Sequence, residues 1–253
     1  MNRIVMAGVA SLGLCGMFAL AQAAPETATE TRPVDARVNR VKLDGTVSLK
    51  IRQGNPPALT LTGDPRWLAR TTTTQSGDTL HIESSGSSHG RKDALHVELV
   101  LPTLRAVTSE SLGSTEVRGF SGDDLALTLD GAGSMIVAAS PRVLKADLGG
   151  IGSMQLQDLN CERVELNLQG AGYMMLSGRA HTLKADLGGL GNLDAQHFSA
   201  DTVDVDLSGL GNASVTARQN ANLNLSGMGS VTVYGKPANR KVEVDGLGKV
   251  SWK

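Results

Sequence analysis

From residue 127 onward the apolar positions obey one rule. Leu127 and Leu129 alternate with polar neighbours, Gly131-Ala-Gly interrupts them, and Met135 and Val137 resume the alternation. The sequence repeats this as Ala146/Leu148, Gly150, Met154/Leu156, then as Leu166/Leu168, Gly170, Met174/Leu176. It continues through Ala185/Leu187, Gly189, Leu193/Ala195 and Val205/Leu207, Gly209, Ala213/Val215. The last copies are Leu223/Leu225, Gly227, Val231/Val233 and Val242/Val244, Gly246, Val250/Trp252. Apolar residues at every second position make a strand with one face turned to a core. Each unit therefore predicts a strand, a glycine corner, a second strand and a polar loop.

The corners stand 19, 20, 19, 20, 18 and 19 residues apart, and a degenerate copy, "SLGS" from Ser111, precedes Gly131 by 20. A fixed period of this length is the signature of a stacked repeat. One such unit buries too little apolar surface to offset the entropy of ordering it. Stacking supplies what is missing, because each rung pairs its backbone and its inward side chains with the rungs on either side. The expected fold is all-β: a single-domain parallel β-helix of about 19–20 residues per rung with rungs ~4.8 Å apart. The glycines are expected where neither a Cβ nor a negative φ would fit the corner.

Residues 37–110 carry looser short strands, including "VSLKI", "ALTLTG" and "ALHVELVLP", separated by "DG", "GNPP" and "SGD". We read them as irregular first rungs that cover the N-terminal end, with regular repeats over 111–253. Residues 24–36, which include "PETATETRP", read as a polar linker. Residues 1–23 read as a secretory signal peptide, with Arg3, an apolar run from Ile4 to Ala21 and small residues before a cleavage point after Ala23. Leu14 before Cys15 argues against a lipidation site. No later apolar run is long enough to span a bilayer after signal cleavage.

Composition narrows the function. A net charge of −1 gives no electrostatic reason for a nucleic-acid partner. Aromatics at 3% are scarce for a sugar-stacking surface. Cys161 alone remains after the signal, so stability rests on packing rather than a disulfide.

Candidate chemistry is sparse. "GSSHG" at 86–90 matches a nucleophile-elbow pattern around Ser88, but the elbow needs a strand-turn-helix setting and here lies in a Ser/Gly loop. The outward column Asp147, Asn167, Asp186, Asp206, Asn224 and Glu243 could array oxygen ligands for calcium. Neighbouring Lys145, Lys184 and Lys241 make a solvated, paired face the simpler reading. His81, His89, His96, His181 and His197 have no metal or triad spacing. No catalytic residue, metal ligand or cofactor is expected.

One column carries a functional expectation. Between the paired glycines stand Ala132, Ile151, Ala171, Leu190, Leu210, Met228 and Leu247. Strict alternation puts them outside, as an apolar ridge and interface of which Ile151, Leu190, Leu210, Met228 and Leu247 are the large members. If the corner resets the phase, the same side chains cap the core instead.

The run "LHVELVLPTLRAVTSESLGSTEV" at 95–117, the glycine corners after it and "DGTVSLKIRQGNPPALTLTGDP" at 44–65 resemble the putative auto-transporter adhesin family and its head GIN domain. The resemblance covers nearly the whole chain after the signal. It implies a bacterial, exported β-helix, right-handed, with an adhesive or surface role. Two features depart from the family. No membrane barrel follows residue 253, so a complete autotransporter is not expected. The residue between the glycines, often small and polar in the family, is mostly large and apolar here. The expected function is thus non-enzymatic contact, in the periplasm or at the cell surface, with an envelope or surface protein or with itself. The alternative is a carbohydrate-binding or carbohydrate-active β-helix.

Overall fold

The computed structural model describes residues 27–85 and 95–253. The repeats form long strands that run from one glycine corner to the next: β9 (Ser114–Leu129), β10 (Ser134–Leu148), β11 (Ser153–Leu168), β12 (Tyr173–Leu187), β13 (Asn192–Leu207) and β14 (Asn212–Leu225); the shorter strands before and after them are numbered in the same chain order. Each pairs in parallel with the next, so Met135, Met154 and Met174 stack, as do Leu148, Leu168, Leu187 and Leu207. The fold is the β-solenoid that the periodicity predicts. β15 (Ser230–Tyr234) and β16 (Asn239–Val244) both pair with β14, and β17 (Lys249–Trp252) pairs with β15.

The polar loop expected in each regular rung is replaced by continuous strand. Between the two halves of each strand the register shifts, as at Ala138/Val143 and Leu156/Leu159, and the chain bends through a third side. This side has its own inward column: Phe120, Ala139, Leu159, Cys161, Ala180, Phe198 and Ala217 are all buried. A bulge in every rung turns the strand without releasing its ladder, and the alternation is hidden in the sequence because it changes phase there.

The N-terminal region departs furthest from simple rungs. β2 (Arg40–Gly45) and β3 (Val47–Gln53) form a rung between two others. On one side lie β6 (Thr79–Ser84) and β7 (Leu95–Leu101), and on the other β8 (Ala106–Ser111) and the start of β9. The rung of β2 and β3 thus lies inside this stack, not at its end. β4 (Ala58–Gly63) pairs antiparallel with β7, and β5 (Thr71–Ser76) antiparallel with β6. A single turn, α1 (Pro65–Leu68), joins β4 to β5; Asp64 caps it by accepting from the Arg66 N–H at 2.8 Å.

Residues 28–32, read from sequence as linker, are a strand, β1 (Ala28–Arg32), antiparallel to β4. Its composition is polar because it is an edge, with one neighbour and mostly exposed side chains. The signal-like residues 1–23 and the "GSSHG" motif with Ser88 lie outside the described residues. Among the described residues no helix is long and apolar enough to cross a membrane.

Candidate functional site: an apolar ridge on the glycine corners

The corner geometry decides which residues face out. Each regular corner stacks on the one before it through the backbone: the Leu190 N–H donates to the Gly170 carbonyl at 3.1 Å, Leu210 to Gly189 at 3.1 Å and Met228 to Gly209 at 3.2 Å. A Cβ on the first glycine of a pair would collide with the carbonyl of the first glycine one rung earlier. The second glycine has a further reason. A Cβ there would meet the leucine that precedes the earlier corner, as Gly172 would meet Leu148 Cδ2 at 2.6 Å and Gly229 would meet Leu207 Cδ2 at 2.7 Å. Expectation and structure differ on the backbone. Among the described glycines, positive φ occurs at Gly45, Gly77, Gly119, Gly178 and Gly235, none of them in a G-x-G corner. Close approach between rungs, not a left-handed conformation, requires the glycines.

With both glycines pressed against the stack, the residue between them points away. Its exposure is 75% at Ile151, 61% at Leu190, 60% at Met228 and 82% at Leu247, and Leu210 is the least exposed at 51%. Ala132 and Ala171 are exposed or half-exposed in the same column. The column is a ridge and not a cap on the core. Sequence reading omitted one member: Leu112, 67% exposed, occupies the x position of the degenerate "SLGS" corner. The matching spacing was the signal for it. Flanking positions include Ser153, Asn192, Asn212 and Ser230 on one side and Gln169, Ser208 and Ser226 on the other, with the acids Glu110, Asp130 and Asp245 in the second column. Apart from Lys249, those two flanking columns contain no basic residue.

The neighbouring outward face is polar. Two shallow grooves of about 360 and 670 Å³ lie along it, lined by residues such as Asp204, Asn222 and Lys241 in one and Lys145, Glu165 and Asp186 in the other. The column weighed for calcium is occupied in pairing. Asn224 Nδ2 donates to Asp206 Oδ1 at 3.1 Å, Lys184 lies 3.4 Å from Asp186, and Lys241 3.0 Å from Glu243. One column over, Asn222 Nδ2 donates to Asp204 at 2.6 Å, and Lys145 lies 3.1 Å from Glu165. The Lys145 hydrogen bond, more than the Arg163 beside it, holds the Glu165 carboxyl below the usual range. Amide-to-carboxylate ladders and ion pairs spread the charge of stacked acids, which is how a soluble sheet face tolerates them.

The histidines are separate. His81 Nε2 lies 2.5 Å from Asp44 near the N-terminal end, and His181 Nδ1 is 2.9 Å from Asp201 on the third side. Cys161 is buried in β11, where loss of solvent pushes its thiol up to about 11. A protonated, enclosed thiol is a poor nucleophile. Among the described residues no three His, Cys, Asp or Glu side chains group to hold a metal ion.

A family model described as "Putative auto-transporter adhesin, head GIN domain" matches residues 38–237. Among solved structures, a putative adhesin from Bacteroides fragilis superposes with a TM-score of 0.70 at 19% identity, covering 91% of this chain and 98% of that one. A putative adhesin from Parabacteroides distasonis gives 0.81 at 19% identity, with coverage of 90% and 97%. A putative lipid binding protein from the same organism also gives 0.81, at 17% identity, with coverage of 90% and 96%. No curated protein matches. At these identities the structural likeness carries the fold.

Proposed function

Because the chain belongs to the putative auto-transporter adhesin family through its head GIN domain, we propose that it is an exported, non-enzymatic protein that works by contact, with the apolar ridge as its contact surface. The signal-like N-terminus and the family support export. The ridge is the observation that carries the reading. Leu112, Ile151, Leu190, Leu210, Met228 and Leu247 stand in one line, all more than half exposed. An ordinary surface scatters its exposed leucines, whereas a continuous apolar row marks a place where something binds.

The border of the ridge favours protein over membrane. Binding to an anionic lipid surface draws on clustered lysines and arginines beside the apolar residues, and here the flanks are mainly serine, asparagine, glutamine and glycine. The description of one structural neighbour as lipid binding makes the membrane the competing case to test. The chain without residues 1–23 and its Leu190→Lys, Leu210→Lys double variant are titrated onto isolated envelope and onto vesicles of phosphatidylethanolamine and phosphatidylglycerol. The expected result is saturable binding to envelope, lost in the variant, with no vesicle binding. Equal envelope binding by both proteins would remove the ridge from the function.

A further inference from the structure

We propose that the partner of the ridge is a second copy of this chain, packed antiparallel about a two-fold axis that passes between Ile151 and Ala171. The proposal rests on the reading of the ridge as a contact surface and adds its occupant. The observation behind it is the order of side-chain sizes. Along the first five positions the ridge reads Leu112, Ala132, Ile151, Ala171, Leu190: large, small, large, small, large. Successive rungs are ~4.8 Å apart, so the large side chains recur every ~9.6 Å with a gap between them. Such a row is a set of knobs and holes.

A row of this kind can meet its own copy in two ways. If two ridges run parallel about a two-fold, every residue faces itself: Ile151 meets Ile151, Ala171 meets Ala171, and the row touches only at its knobs. If they run antiparallel about a point between Ile151 and Ala171, large faces small. Ile151 then enters the gap at Ala171 of the other copy, Leu190 enters the gap at Ala132, and Leu112 meets Leu210. Each contact occurs twice, as a two-fold interface requires. Near the axis the flanks at Gly149, Ser153, Gln169 and Asn192 are uncharged, and the acids further out, Glu110 and Asp130, face Ser208 and Gly188 of the other copy, so no like charges are brought together.

The size of the contact sets its strength. Six rungs, from Leu112 to Leu210, overlap over ~24 Å, and a strip ~10 Å wide buries roughly 240 Å² per copy. That is below the area of a stable dimer, so the pairing is weak and reversible. Weak homotypic contact, summed over many copies on opposed surfaces, is a means of adhesion far stronger than a single pair in solution.

Sedimentation velocity over a concentration series tests the register by size exchange. Ala171→Leu fills the hole and Ile151→Ala removes the knob; both side chains point away from the core, so the fold is kept, and circular dichroism verifies it. Each variant alone is expected to self-associate at least ten-fold more weakly than the unaltered chain. Mixed one to one, they are expected to recover association. Ile151 of the filled-hole variant then faces Ala171 of the knob-less one, and the introduced leucine of the first faces the introduced alanine of the second. A mixture no stronger than its components overturns the antiparallel register. Monomer at every concentration for the unaltered chain overturns self-pairing. In that event, loss of envelope binding in the Leu190→Lys, Leu210→Lys protein would leave the contact reading intact with a different partner, and unchanged envelope binding would remove both.

Discussion

Gly189→Ala adds one methyl group at a place where the stack leaves no room for it. The new Cβ would lie 2.7 Å from the Gln169 carbonyl oxygen and closer still to that of Gly170. Both are backbone atoms of the preceding rung, so no side chain can swing aside. Relief requires the rungs to part at the corner, where the Leu190 N–H bonds Gly170 and the Leu210 N–H bonds Gly189, each at 3.1 Å. Weakening two backbone hydrogen bonds costs about 1 kcal/mol each. The overpacking itself adds about 1–3 kcal/mol. For a chain of this size each kcal/mol lowers Tm by about 2–4 °C, so the total of about 3–5 kcal/mol corresponds to a fall on the order of 10 °C. Two controls isolate the cause. Gly122→Ala places its Cβ with nothing within 4 Å and at a φ that is not positive, and is expected to stay within about 0.5 kcal/mol. Lys184→Ala removes only a half-exposed side chain 3.4 Å from Asp186, with an effect under about 0.5 kcal/mol. Thermal melts by far-ultraviolet circular dichroism, with hydrogen exchange at the Leu190 and Leu210 amides, read the outcome. If Gly189→Ala melts together with Gly122→Ala, close stacking is not what the corner glycines serve.

The Leu190→Lys, Leu210→Lys protein should melt within about 2 °C of the unaltered chain, since neither side chain is in the core; loss of the folded state would show that the ridge holds the rungs together. Phe198→Ala empties the largest fully buried side chain of the third side and should cost about 3–5 kcal/mol in a denaturant titration; a cost under about 1 kcal/mol would mean that side is loosely packed. The Cys161 thiol is held up to about 11 by burial, whereas the unfolded chain ionises near pH 9. Its contribution is complete below pH 9 and is lost as pH rises towards 11, because the unfolded state then releases a proton that the folded state retains. Cys161→Ala should flatten that alkaline decline, and identical slopes in the two proteins between pH 9 and 11 would refute the assignment.

The amino-acid sequence by itself determined the strand period, the rung length and which residues form the column between the paired glycines. These are local facts: Leu166, Leu168 and Met174 lie on one face because a pleated strand alternates, and each corner repeats because each rung copies the last. Once the strands are parallel and in register, Leu190 must stand beside Leu210, and parity places it outside if the corner keeps phase. Whether it does was a tertiary decision. The backbone of one corner rests on the carbonyls of the corner before it, which presses both glycines inward and leaves the residue between them exposed. The same contact, and not a positive φ, is the reason for glycine, and no single rung contains it.

The N-terminal region was less legible for the same reason. "ALTLTG" and "VSLKI" read as strands, but nothing within them says that β3 sits between β7 and β9 or that β4 turns antiparallel against β7. There the repeat no longer dictates the neighbour, so partners are chosen by which edges remain unpaired across the whole molecule. The polar run "ATETR" is a strand only because the β4 edge offers it a ladder. Along the third side, Phe198 and Cys161 face inward because a bulge shifts the phase at each turn. That shift is a response to closing the coil, a condition that only the assembled stack imposes.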